Sequence, residues 1–151
     1  MRVSAKAEYA CLAVIELAAN YDGPQPVRVK TIADTHGIPQ RFLVQILLQL
    51  KGAGLVVSLR GAAGGYQLAQ PPEEISLADV INAIDRTAPP AERRASPRRR
   101  TPGAPVDSLA TRALQSVWRD IQAEEQRLLE ATTLAELVRR TRETSALTYH
   151  I

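Results

Sequence analysis

A chain of 151 residues is enough for one ordinary domain, or for a small head with an appended helix that needs a partner to bury it. With 45% apolar but only 4% aromatic residues, its core must come from Leu, Val, Ile and Ala, a helix-forming palette, while a net charge of +3 permits a polyanionic partner without demanding one. No apolar run nears the roughly 20 residues of a membrane span, the N-terminus lacks the pattern of a signal peptide, and a single cysteine excludes an internal disulfide; the expectation is a cytoplasmic protein.

From Ala7 to Tyr21, Ala10, Val14, Leu17, Ala18 and Tyr21 recur at helical spacing, widened by Leu12 and Ile15, and Asp22-Gly23-Pro24 stops the helix. A second helix of barely two turns runs from about Lys30 to His36, with Ile32 and Ala33 inward and Gly37 as its cap. After the turn His36-Gly37-Ile38-Pro39, a third helix carries Leu43, Ile46, Leu47 and Leu50 on one side and ends within Gly52 to Gly54. Two short helices across so tight a turn suggest a helix-turn-helix. Leu55 to Leu59 and Tyr66 to Leu68 are β-prone and flank the glycine-rich Arg60 to Gly65, which predicts a hairpin, here a wing.

Ser76 and Asp79 form a capping box before a helix whose inner face is Leu77, Val80, Ile81 and Ile84. Periodicity then vanishes from Thr87 to Pro105, where prolines cluster with Arg93, Arg94 and Arg98 to Arg100 in a flexible basic loop. That loop is either a solvated connection or an arm that grips DNA or an acidic partner. Ala110, Leu114, Val117, Ile121 and Leu128 fit a coiled-coil seam, with Glu124 interrupting it before Leu128. Thr133 and Glu136 form a second capping box, predicting a last short helix with Leu134, Leu137 and Val138 before a polar tail. The fold class is therefore mainly α with a small β-hairpin. It divides into a winged helix-turn-helix head over 1–86, a loop over 87–106, and a dimerisation helix with a C-terminal helix over 107–151.

In a helix-turn-helix the third helix enters the major groove, so residues opposite its core stripe must reach base edges. Here these are Arg41, Gln45, Leu48 and Gln49, with Gln40 in the first turn. Arg bridges O6 and N7 of guanine, and Gln pairs with N6 and N7 of adenine. Glycines at 61, 64 and 65 let wing amides approach phosphates, and Arg60 stands at the mouth of the hairpin, ready to enter a minor groove.

Several stretches together closely resemble the Rrf-two family of winged-helix regulators: Met1-Arg2-Val3-Ser4, Ile38 to Leu47, Leu50 to Val56, Arg60 to Ala69, Pro71 to Val80, Val117 to Ile121, and Thr133 to Leu137. The resemblance spans nearly the whole chain except the arginine- and proline-rich loop, and the arginine-glycine wing motif is its most specific part. It implies a transcription regulator acting as a homodimer on a palindromic, double-stranded DNA operator, with repression the commoner sign in the family. A long helix, here about Asp107 to Ala131, would cross the partner subunit, which agrees with the independent seam of Leu114, Val117, Ile121 and Leu128. Carried over by position, Arg41, Phe42 and Gln45 would contact DNA from the recognition helix, Arg60 and Gly61 from the wing, and Ser4 and Tyr9 from the first helix. Lys6, Arg28 and Lys51 would add phosphate contacts. Several relatives carry Glu at the place of Val44, where its carboxylate helps select cytosine; Val44 accepts no hydrogen bond, so their operator does not transfer.

Cluster-bearing relatives place three cysteines in the loop before the long helix, and this loop has none. Glu8 alone makes no iron site, and neither His36 in its turn nor His150 in the tail has a ligand at helical spacing. The expectation is no cofactor, no metal and no enzymatic activity, since nothing in the sequence groups a nucleophile with a base. Two alternatives remain open: control by a partner enzyme, as the resemblance allows, and thiol redox sensing through Cys11, which lies among apolar neighbours.

Overall fold

The computed structural model describes residues 3–62, 64–85 and 108–149, so the arginine- and proline-rich loop and His150 lie outside the described residues. In chain order these hold α1 (Ala5–Ala19), α2 (Val29–His36), α3 (Gln40–Gly52), β1 (Val56–Leu59), β2 (Gly65–Leu68), a 3-10 turn (Pro72–Glu74), α4 (Leu77–Asp85), α5 (Leu109–Ala131) and α6 (Leu134–Tyr149). The mainly α fold with one antiparallel hairpin is the one expected from the sequence.

Helix α1 begins two residues earlier than its apolar stripe, because Ser4 caps it: the Ser4 Oγ accepts from the Ala7 amide at 3.1 Å. It also ends earlier, at Ala19, so Tyr21 falls beyond the helix and is largely exposed instead of closing the inward stripe. Ala7, Ala10, Ala13, Val14, Leu17 and Ala18 are buried, and the run of alanines lets neighbouring helices approach α1 closely. Helix α1 is the hub of the head, touching α2, α3, α4, α6 and β2. Ile32 of α2, the four expected leucine and isoleucine residues of α3, and Val80 and Ile84 of α4 converge with it into one core. Each such side chain contributes about 1.5–3 kcal/mol by leaving water.

The hairpin pairs Val56 with Leu68 and Leu59 with Gly65. Val27 adds a one-residue rung to its outer edge, giving its amide to the Tyr66 carbonyl (2.9 Å) and accepting from the Tyr66 amide (2.8 Å). A side chain at Gly65 would place its Cβ 2.4 Å from the Val27 carbonyl oxygen, so this rung requires glycine.

The first capping box is reciprocal, the second forms only its Thr133 half, and the two helix starts stand side by side. Ser76 and Asp79 exchange bonds of 3.0 and 3.2 Å, and the Glu136 amide donates to the Thr133 hydroxyl. Glu136 does not reach back in the second box; its carboxylate takes Arg139 and Arg140 from its own helix. An antiparallel bridge between Ser76 and Thr133 joins the starts of α4 and α6, with Leu77 donating to Thr132 and Leu134 to Ile75, both at 2.9 Å. Leu134 and Val138 thereby enter the core of the head. The last helix is not short: α6 has 16 residues and runs through the segment expected to be a polar tail. Arg139 ties Glu136 and Glu143 along its surface, ion pairs that support the helix where apolar periodicity stops, while Thr141, Thr144 and Thr148 satisfy their hydroxyls on carbonyls one turn back.

Candidate nucleic-acid interface

Helix α3 buries Leu43, Ile46, Leu47 and Leu50 and turns Gln40, Arg41, Val44, Gln45 and Leu48 outward, all exposed. Gln49, expected on the outward side, is half buried, with its Oε1 enclosed and without a hydrogen-bond partner among the described residues. Phe42 leans toward α1, 55% exposed, where it lines an apolar cleft of about 310 Å³ with Ala5, Lys6, Tyr9, Gln45 and Ile46. Four residues singled out from the sequence, Lys6, Tyr9, Phe42 and Gln45, thus meet in one cleft at the junction of the first helix and the third.

The wing carries the other group. Arg60 and Gly61 are exposed just past β1, and Gly61 has φ 109°, a conformation other residues rarely adopt. Arg28 bends toward the hairpin and donates to the Ala62 carbonyl at 2.6 Å, while Lys51 donates to the Ser58 hydroxyl at 2.9 Å. Both cations are therefore posted beside the wing and the end of α3. Ser4, besides capping α1, donates to Asp85 at 3.3 Å, which ties the start of α1 to the end of α4. Val27, whose rung ties the segment before α2 to the wing strand β2, is not among the residues that the sequence reading singles out. Its only trace is the Val27-Arg28-Val29 alternation, too brief to separate from a helix start.

The seam residues of α5 lie apart from this face. None of its 23 residues is buried, and Leu114, Val117, Ile121 and Leu128 are each 44–54% exposed, as is Trp118 at 55%. Within the chain α5 packs chiefly against α4. Glu124 does not stand free in the seam: it forms an ion pair with Arg127 one turn on, whose hydrogen bond holds its carboxyl below the usual range.

The donor set does not fit an iron-sulfur cluster. Such a cluster takes thiolates, and the chain has one cysteine, Cys11, half buried on α1. Burial, then the charges of Glu8 and Asp85, push its thiol up to about 11, so it stays protonated near neutral pH. The same shift weakens thiol redox sensing, which needs a thiolate. His36 is engaged with Glu16 at 3.1 Å, across from α2 to α1.

Residues 3–140 match the Rrf2 family, described as an iron-dependent transcriptional regulator. The chain is 44% identical over 137 residues to a Mycobacterium tuberculosis protein named an HTH-type transcriptional regulator, covering 91% of this chain and 81% of that one. It is 32% identical over 139 residues to the HTH-type transcriptional regulator CymR of Bacillus subtilis, covering 91% and 89%. Among solved structures, CymR, the global cysteine regulator of B. subtilis, superposes with a TM-score of 0.72 at 31% identity, covering 93% of this chain and 98% of that one. IscR of T. potens gives 0.72 at 30% identity, covering 95% and 90%. The outward face of α3, the wing beside it and these likenesses agree: the chain belongs to the Rrf2 family of DNA-binding transcriptional regulators, which are not enzymes.

Proposed function

We propose that this protein is a sequence-specific repressor that binds a palindromic operator as a homodimer, in the cytoplasm, without an iron-sulfur cluster. One observation carries this function: Arg41 and Gln45 project from a recognition helix whose opposite side is locked into the core, next to a wing bearing Arg60. Arg41 and Gln45 read guanine and adenine edges from the major groove, helped by Gln40 and Phe42. Arg60 and Gly61 meet the flanking minor groove and backbone, and Ser4, Lys6, Tyr9, Arg28 and Lys51 contact sugar or phosphate. The exposed stripe of Leu114, Val117, Ile121 and Leu128 supports dimerisation, because four half-bare apolar side chains on one helix gain most by facing a second copy. In this scheme residues 1–86 read DNA, 87–106 connect, and 107–151 dimerise while α6 anchors back on the head.

Footprinting on the promoter of the chain's own gene tests the proposal. A protected palindrome that disappears with Arg41→Ala and with Arg60→Ala supports it; equal affinity for the promoter and for unrelated DNA contradicts it.

A further inference from the structure

The outward face of α3 holds three side chains able to hydrogen-bond with bases, Gln40, Arg41 and Gln45, and two that are not, Val44 and Leu48. Val44 follows Arg41 by three positions and precedes Leu48 by four, so the three share one face of the helix. Val44 is 37% exposed and Leu48 55%, although the head has buried every other aliphatic residue of α3. An apolar side chain pressed against most base edges strips water from donors and acceptors and gives nothing back. One group on the major-groove floor is different: the C5-methyl of a pyrimidine, carried by thymine.

We infer that Val44 and Leu48 are specificity determinants that pack against thymine C5-methyl groups, so that each operator half-site carries thymines beside the bases read by Arg41 and Gln45. This rests on the proposed docking of α3 in the major groove. Selection at the Val44 position then works by shape and apolar contact, a mode that distinguishes thymine from cytosine through one methyl group.

The test selects duplexes for the full-length protein from a randomised library made with thymine, and separately from one made with uracil in its place. Neither library contains 5-methylcytosine, so enrichment of thymine over cytosine identifies the source of the methyl group. The best thymine duplex is then remade with single thymine-to-uracil changes, which remove only the methyl. Burial of one methyl group predicts about four-fold weaker binding per affected position, and about fifteen-fold when both half-sites are changed. Val44→Ser abolishes the preference at one position of each half-site and Leu48→Ser at another; both sites are exposed, so the fold is kept. A thymine-to-uracil ratio near one at every position overturns the inference, as does a preference that persists in both variants. Those results leave DNA reading by α3 intact, whereas enrichment of no sequence from either library overturns the DNA-reading proposal itself and this inference with it.

Discussion

Helices α1 and α5 each carry an apolar stripe yet have opposite fates. Helix α1 buries six of its 15 residues inside its own chain, and α5 buries none of its 23. The stripes differ in breadth, α1 being apolar at 12 of its 15 positions and α5 at 11 of its 23, and in surroundings: α1 is enclosed by four helices and a strand, while α5 packs chiefly on α4 and its seam is exposed among the described residues. A head that satisfies itself and a helix that does not is the division expected of a DNA reader whose second half is another copy.

Substitutions in the two regions should therefore fail differently. The largest effect belongs to the head. Leu47→Ala empties a fully buried site and should cost about 2–5 kcal/mol, seen as a lowered denaturation midpoint that is independent of protein concentration. In α5, Leu114→Asp combined with Ile121→Asp should leave the circular dichroism of the head intact and yield a monomer by sedimentation. Loss of the second half-site should weaken operator binding by about a hundred-fold or more. If that double variant unfolds the head instead, the two regions are one cooperative unit and the comparison breaks.

Arg41→Ala should act on DNA binding alone. Removing a bidentate base contact should cost about 1–3 kcal/mol of operator affinity and relax selection at one base pair per half-site, with sedimentation unchanged. The smallest effect concerns Cys11. With its thiol pushed up to about 11 from 9.0, the folded state holds the proton more tightly than the unfolded state. Stability from this group is complete below pH 9 and is lost as pH rises from about 9 toward 11. At pH 8 its alkylation by iodoacetamide should run about a hundred-fold slower in the folded protein than in denaturant.

Much of the head was legible because its helices bury one side and expose the other, which writes a 3.6-residue period into the sequence. Leu43, Ile46, Leu47 and Leu50 read correctly for that reason, as did the reciprocal Ser76 and Asp79 cap. What escaped were features with no period. Val27 makes a single rung, and one residue has no alternation to detect. Helix α6 continues through arginine–glutamate pairs where its apolar residues end, so its C-terminal half carries the polar pattern of a tail. Gln49 sits at the border between the outward and inward sides of α3, where angular position alone does not decide burial. The residues on the outward side of α3 could be named from the helix face, but the cleft that gathers Lys6, Tyr9, Phe42 and Gln45 depends on how α1 packs on α3, a tertiary fact.

The central claim is that α3 and the wing read a defined sequence. Its most direct test is the affinity of the full-length protein for its best selected duplex against a scrambled duplex of equal composition, at one fixed salt concentration. Sequence reading by α3 and the wing should give a ratio of about a thousand or more, carried by Arg41 and Arg60. A ratio near one, with binding that depends only on salt, would contradict it.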